Sequence, residues 1–163
     1  MNTNEFNLLI INRLKIIYMK NLKEIKIDFN SLIHSIPNYL NELKKEVNLN
    51  NFIFDKDEIE KIEIWFKDKI KFKEKDLNLF EIYKKLFFSY CSSAFIKSNG
   101  GEIILDIKKN SFTYGEPIII NYGAEGYPWV AISIYGWIEI IETRGLKKSL
   151  SETIIRNLKD KTE

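Results

Sequence analysis

Up to Asn99, apolar residues recur every three or four positions, which is the spacing of amphipathic helices. This spacing predicts an opening helix that ends near Asn21. It also predicts a later helix that begins at the cap-forming sequence 55–58, Asp-Lys-Asp-Glu. The longest such run extends from Leu77 to Lys97. It stops before the glycine pair 100–101, because glycine readily takes the left-handed conformation that ends helices.

The segment after the opening helix has two possible interpretations. Ile25–Phe29 alternates between apolar and polar residues, which predicts a short strand. A helix through about Val47 is expected next, but Pro37 lies within it. Either this helix begins near Ser35, with Pro37 in its first turn, or it is kinked at the proline.

Beyond Gly101 the apolar period changes from about 3.6 residues to 2, which predicts strands. Four segments rich in isoleucine and aromatic residues show this pattern: Glu102–Ile107, Pro117–Asn121, Trp129–Tyr135 and Trp137–Thr143. Their short connections favour antiparallel pairing. Ser149–Glu152 resembles a capping box and predicts a closing helix.

These elements predict the α+β class, with N-terminal helices packed on a C-terminal antiparallel sheet of about four to five strands and a closing C-terminal helix. A chain of 163 residues is the length of one ordinary domain, so residues 1–163 are expected to form a single α+β domain. A flexible tail is expected after about residue 159.

Composition and charge exclude several classes of protein. A hydrophobic content of 45% with 29% charged residues is typical of globular chains, and a net charge of +2 does not favour a general nucleic-acid binder. Cys91 is the only cysteine, which fits a reducing compartment. The apolar run 6–19 is interrupted by polar and charged residues and is too short to cross a bilayer, so we expect a cytoplasmic protein.

The sequence offers little for catalysis or metal binding. His34 is the only histidine, and its neighbours do not provide the nucleophile and orienting group of a catalytic unit. Cys91 lies inside an apolar helical run, where a reactive thiolate is disfavoured. Asp55 and Asp57 lack the ligand spacing and glycine of a calcium loop. We therefore expect no catalytic residues, no metal site and no cofactor.

Aromatic and acidic residues cluster in the predicted strand region. If Trp129–Tyr135 alternates strictly, Val130, Ile132 and Ile134 face the core, and Trp129 and Tyr135 lie on the opposite, mixed face. Tyrosine and tryptophan are enriched at binding hot spots. The predicted partner-binding residues are Tyr122, Glu125, Tyr127, Trp129, Tyr135, Trp137 and Glu139. The alternative, that Trp129 and Trp137 belong to the core, stays open.

Several of these features together resemble small bacterial immunity proteins of polymorphic toxin systems. The resemblance extends from about Ile27 to Glu142. It is carried by Asp28-Phe-Asn-Ser31, Trp65-Phe66, Tyr90, Gly100-Gly101, Pro117-Ile-Ile-Ile-Asn121 and Tyr127-Pro-Trp129. The turn Phe95–Gly101 is also similar to that of the SUKH immunity superfamily.

The resemblance implies a non-enzymatic protein that binds and neutralises a cognate bacterial toxin. Residues 100–143 contain six acids and two lysines, so a partner with a basic surface is expected, and neither nucleic acid nor membrane is. The oligomeric state stays open between monomer and homodimer. Two alternatives remain: a protein that captures a small ligand or signalling nucleotide between the long helix and the sheet, and an enzyme that uses only carboxylates such as Glu139 and Glu142.

Overall fold

The computed structural model describes residues 21–124 and 130–156. Within these ranges it contains six helices and one two-stranded sheet. The elements are α1 (Leu22–Val47), α2 (Lys56–Lys69), α3 (Phe72–Lys75), α4 (Leu77–Asn99), β1 (Gly100–Leu105), β2 (Pro117–Tyr122), α5 (Ile134–Thr143) and α6 (Leu150–Ile154). The predicted opening helix and the predicted flexible tail lie outside the described residues.

Helix α1 corrects the prediction of a strand at Ile25–Phe29, because the helix begins before that segment. Asn21 caps it by accepting a hydrogen bond from the Glu24 amide, while the Glu24 carboxylate accepts one from the Asn21 amide. Of the alternating apolar residues only Ile25 is buried, and Ile27 is largely exposed. Pro37 lies inside the helix and not in its first turn.

Helix α2 begins as predicted, with Asp55 accepting a hydrogen bond from the Glu58 amide. The Glu58 side chain reaches back beyond the cap. Its two oxygens accept hydrogen bonds from the amides of Ile53 (2.9 Å) and Phe54 (3.0 Å), and from the Tyr90 hydroxyl at 2.8 Å. Phe54 has a φ of +61°, so this buried carboxylate holds a strained backbone in place.

Helix α4 lies at the centre of the protein and contacts every other described element. Its residues 86–92 are all buried, so the helix is enclosed on every side along this part. Phe87 stacks on Phe66 of α2 with ring centroids 4.1 Å apart. The helix ends at Gly100, which has a φ of +75°, as the double glycine predicted.

The sheet contains two antiparallel strands among the described residues, so the prediction of four to five strands is wrong, although the class remains broadly α+β. Strands β1 and β2 pair from Gly100↔Tyr122 to Leu105↔Pro117. Within the described ranges, one isolated bridge between Ile119 and Ile132 continues the pairing. The chain then enters a helix at Ile134, where the sequence predicted strand.

Helix α5 replaces the predicted strand Trp137–Thr143. Ser133 caps it through the Gly136 amide, and Ile134, Ile138 and Ile141 form a buried stripe at helical spacing. The closing helix α6 begins after Ser149, as predicted. Its first amide, from Leu150, donates to the buried carboxylate of Glu63 in α2 at 3.0 Å.

Candidate functional site

The predicted aromatic patch does not form one continuous surface in the described residues. Tyr122 is only 4% exposed and contacts Phe95 edge-on, so it belongs to the core. Glu139 is half-buried on α5. Glu125, Tyr127 and Trp129 lie outside the described residues.

Tyr135 and Trp137 are separated by the geometry of α5. Two helical positions differ by about 200° around the axis, so these side chains point to opposite sides. The Tyr135 ring stacks on Phe88 at 4.9 Å, and the Trp137 ring contacts Phe95 edge-on at 6.0 Å. Both are half-buried, and each lines a different cavity.

The Tyr135 cavity lies between α1, α4 and the start of β2, and has a volume of about 560 Å³. Its position is the one predicted for a small ligand. Its charges are mixed, with three carboxylates and two amines: Asp28, Glu81, Glu116, Lys84 and Lys85. Lys84 and Glu81 pair with each other at 2.5 Å, so part of the charge is already neutralised within the wall.

The Trp137 cavity lies where α5 ends and the chain turns into α6, and has a volume of about 630 Å³. Trp137, Ile140 and Leu146 supply its apolar surface. The charged residues in its described lining are all basic: Arg144, Lys147 and Lys148. The two cavities therefore differ in the sign of their charge although they are similar in size.

A third feature is the connection between the two strands, residues 106–116, which we call the hairpin loop. The buried Asp106 organises it from one end. The Asp106 carboxylate accepts hydrogen bonds from the Lys108 amide (2.9 Å) and the Thr113 hydroxyl (2.6 Å). The Asp106 backbone bonds to Glu116 and Gly115, at 2.9 Å and 2.7 Å, which closes the loop at its base.

The electrostatics of Asp106 agree with this organising role. Burial favours a higher pKa, but hydrogen bonds from the Ser111 and Thr113 hydroxyls and from the Lys108 amide, together with the Lys108 charge, outweigh it. The pKa of Asp106 is therefore held below its usual value. The carboxylate is ionised at neutral pH, which keeps its hydrogen bonds at full strength.

The hairpin loop carries Phe112, whose side chain is 93% exposed. Lys108 and Lys109 precede it, and both are exposed. Among the described residues Phe112 is the most exposed large hydrophobic side chain, ahead of Ile64 at 68%, so its ring is available to a partner. The sequence analysis did not select Phe112. The sequence feature that could have identified it is a phenylalanine that lies between turn-forming residues and does not fit the apolar spacing of a helix or a strand.

The described residues contain little that could perform acid–base or nucleophilic chemistry. Cys91 is fully buried, and burial raises the pKa of its thiol well above the usual value. The exposed His34 ring contacts the Asn30 carbonyl of its own helix at 2.7 Å. Within residues 21–124 and 130–156, no group of three histidine, cysteine or acidic side chains could hold a metal ion.

Comparison of this chain with known proteins identifies no relative, so the function is inferred from the geometry of the structure. No family model, no curated protein and no solved structure matches this chain. Among the described helices, none has both the length and the apolar character needed to cross a membrane.

Proposed function

We propose that this chain is a non-catalytic binding protein that docks on a partner protein through the hairpin loop. The observation that carries the proposal is Phe112, an almost fully exposed aromatic side chain on a loop that is held from within. The resemblance to immunity proteins supports a toxin as the partner, bound and blocked in a stoichiometric complex.

The internal order of the loop favours binding. A protein that immobilises a loop on association loses conformational entropy, and a loop already ordered in the unbound protein avoids most of that cost. Asp106 and Thr113 provide this order through their hydrogen bond of 2.6 Å. Phe112 can then fill a pocket on the partner, as aromatic anchors do at the centre of protein interfaces.

The charges near Phe112 indicate the complementary surface. The sequence predicted a basic partner from the acidic balance of residues 100–143. The exposed charges next to Phe112 are Lys108 and Lys109, which support an apolar pocket with an acidic rim instead. Lysines at the rim of an interface mainly accelerate association, whereas a buried aromatic residue slows dissociation.

Co-expression with each neighbouring open reading frame of the source genome, followed by size-exclusion chromatography and growth rescue, tests the proposal. We expect a stable complex with a neighbour that is toxic alone. Phe112→Ala should weaken that complex at least about 30-fold, since hot-spot side chains contribute about 2 kcal/mol or more. The fold should survive, because this side chain lies outside the core.

Ile64→Ala is the matched control, because Ile64 is 68% exposed on α2 and is not part of the hairpin loop. It removes exposed apolar surface outside the hairpin loop and should leave affinity unchanged. Equal affinities for the wild type and Phe112→Ala would reject the loop as the docking element. The absence of any complex or rescue across the neighbours would reject the toxin-binding function itself.

A further inference from the structure

The charge of the Trp137 cavity is not neutralised by any ion pair within residues 21–124 and 130–156. None of the ion pairs between described residues includes Arg144, Lys147 or Lys148. No carboxylate is among the described residues that line the cavity. Among the described residues, three cations therefore line one concave apolar surface with no acid beside them.

Helix stabilisation explains only one of these cations. Arg144 is the C-cap of α5, and a positive charge at the C-terminal end of a helix interacts favourably with its dipole. Lys147 and Lys148 come just before the N-terminal end of α6, where a positive charge has no such benefit. Both lysines are exposed side chains that line the cavity, so an anion bound there would be within their reach.

We infer that the Trp137 cavity binds a nucleoside phosphate, with the base against Trp137 and the phosphates between the three cations. Its volume of about 630 Å³ is within the range of about 300–1,000 Å³ found for small-molecule sites. Indole rings stack well on nucleobases, and Arg144 can hold a phosphate with two parallel hydrogen bonds. Ile140 and Leu146 add apolar surface beside the indole.

The cavity on the other side of α5 shows why this one is favoured. The Tyr135 cavity has three carboxylates in its wall, which would repel phosphates, whereas the described lining of the Trp137 cavity has none. The Trp137 indole is also held in place by its edge contact with Phe95. In the part of the chain that the structure describes, the site therefore combines a positioned aromatic ring with a net positive charge.

Isothermal titration with ATP and GTP, using the full chain, tests the inference. Adenosine lacks the phosphates and tripolyphosphate lacks the base, so each should bind at least tenfold more weakly than ATP. Tripolyphosphate that binds as tightly as ATP would overturn the inference, because the cavity would then recognise only charge. No heat with either nucleotide at millimolar concentration would overturn it as well.

The free nucleotide must also be distinguished from a nucleotide within a nucleic acid. An octamer of thymidine should bind no more tightly than ATP, because the cavity is of single-ligand size. An octamer that binds tenfold more tightly than ATP would overturn the assignment to a free nucleotide.

The double variant Lys147→Glu/Lys148→Glu locates the site. Both side chains are exposed, so the fold should be retained, and ATP affinity should fall at least tenfold. Lys108→Glu/Lys109→Glu is the matched control, an adjacent exposed pair on the hairpin loop, and should leave ATP affinity unchanged. Loss of ATP binding in the control, with retention in the first variant, would overturn the assignment to this cavity.

The same two variants separate this inference from the proposed function. Partner binding should fall with the hairpin-loop pair and not with the cavity pair, and ATP binding should show the opposite pattern. The partner-binding proposal and the nucleotide-binding inference can therefore be rejected independently of each other.

Discussion

The hydrogen bond between Tyr90 and Glu58 can be tested by substitution, because both residues are buried and each has few other partners. Tyr90→Phe removes only the hydroxyl that donates to Glu58 at 2.8 Å. The acceptor oxygen keeps its bond to the Phe54 amide at 3.0 Å, so no group is left unpaired. This substitution therefore measures the contribution of one hydrogen bond to a carboxylate.

The expected loss in the free energy of unfolding is about 1.5–3 kcal/mol for a hydrogen bond to a charged group. The lower end applies, because Glu58 keeps two amide donors in the variant, so we expect about 1.5 kcal/mol. For a chain of this length that corresponds to a fall in Tm of about 3–6 °C.

Glu58→Gln should cost more, about 3 kcal/mol. A glutamine presents one donor group to a site where all three contacts from Ile53, Phe54 and Tyr90 are donors. Without the carboxylate, the left-handed backbone at Phe54 also loses its restraint. The double variant should be less destabilised than the sum of the two single variants, by about 1 kcal/mol or more.

Urea unfolding followed by circular dichroism measures all four proteins of this cycle. Tyr83→Phe is the control, since Tyr83 lies on the same helix and its hydroxyl has no hydrogen bond to another described residue. It should change stability by less than about 0.5 kcal/mol. Additive losses in the double variant, or a Tyr90→Phe protein as stable as the control, would refute the role assigned to Glu58.

Two further predictions concern the sheet and the hairpin loop. Gly101→Ala should destabilise the protein by more than about 2 kcal/mol in urea unfolding, because Gly101 has a φ of +99° and a Cβ there would lie 2.7 Å from the Ile120 carbonyl oxygen. Gly145→Ala shares the positive φ but meets nothing within 4 Å, so a loss as large would contradict the steric argument. Asp106 has a lowered pKa in the folded state, so its stabilisation is present above pH 3.8 and lost as pH falls through the folded value. The fall in stability on acidification should be smaller in Asp106→Asn than in wild type, and parallel curves in pH-dependent urea titrations would contradict it.

The starts of α2 and α6 and the end of α4 could be predicted from local signals in the sequence. Asp55 and Ser149 accept the amide hydrogen bonds expected of N-caps, and the double glycine ends α4. These signals are local, because a cap needs only a polar side chain within three residues of the amide it binds. They are therefore independent of how the rest of the chain packs.

The strand predictions failed in isoleucine-rich segments whose composition favours a strand but whose apolar residues also fit the spacing of a helix. In residues 134–143 the β-branched composition favours a strand, while Ile134, Ile138 and Ile141 repeat at helical spacing. Packing against α4 decides in favour of the helix, because it buries all three residues on one side. For Ile25–Phe29 the missed signal was the capping pair Asn21 and Glu24.

The candidate sites could not be predicted from the sequence, because both depend on how distant segments of the chain pack together. The exposure of Phe112 results from the closure of the hairpin loop by Asp106, which requires the two strands to be paired first. From Arg144 onward the sequence has six basic residues and three acids, so the positive charge of this region can be read directly from the sequence. Their arrangement around Trp137 depends on α5 being a helix, which the sequence analysis did not predict.

The contacts of α6 have a consequence for how the protein is made. Glu63 accepts the amide of Leu150, which is 87 positions further along the chain, and Glu60 accepts the hydroxyl of Ser151, which is 91 positions away. During synthesis the residues that carry these acceptors leave the ribosome long before the residues that carry the donors. The nascent chain therefore carries α2 without its contacts to α6 until residues 149–154 emerge. Until then the two carboxylates interact with water and with lysines of their own helix, Lys67 and Lys56, so the docking of α6 exchanges hydration for hydrogen bonds within the chain.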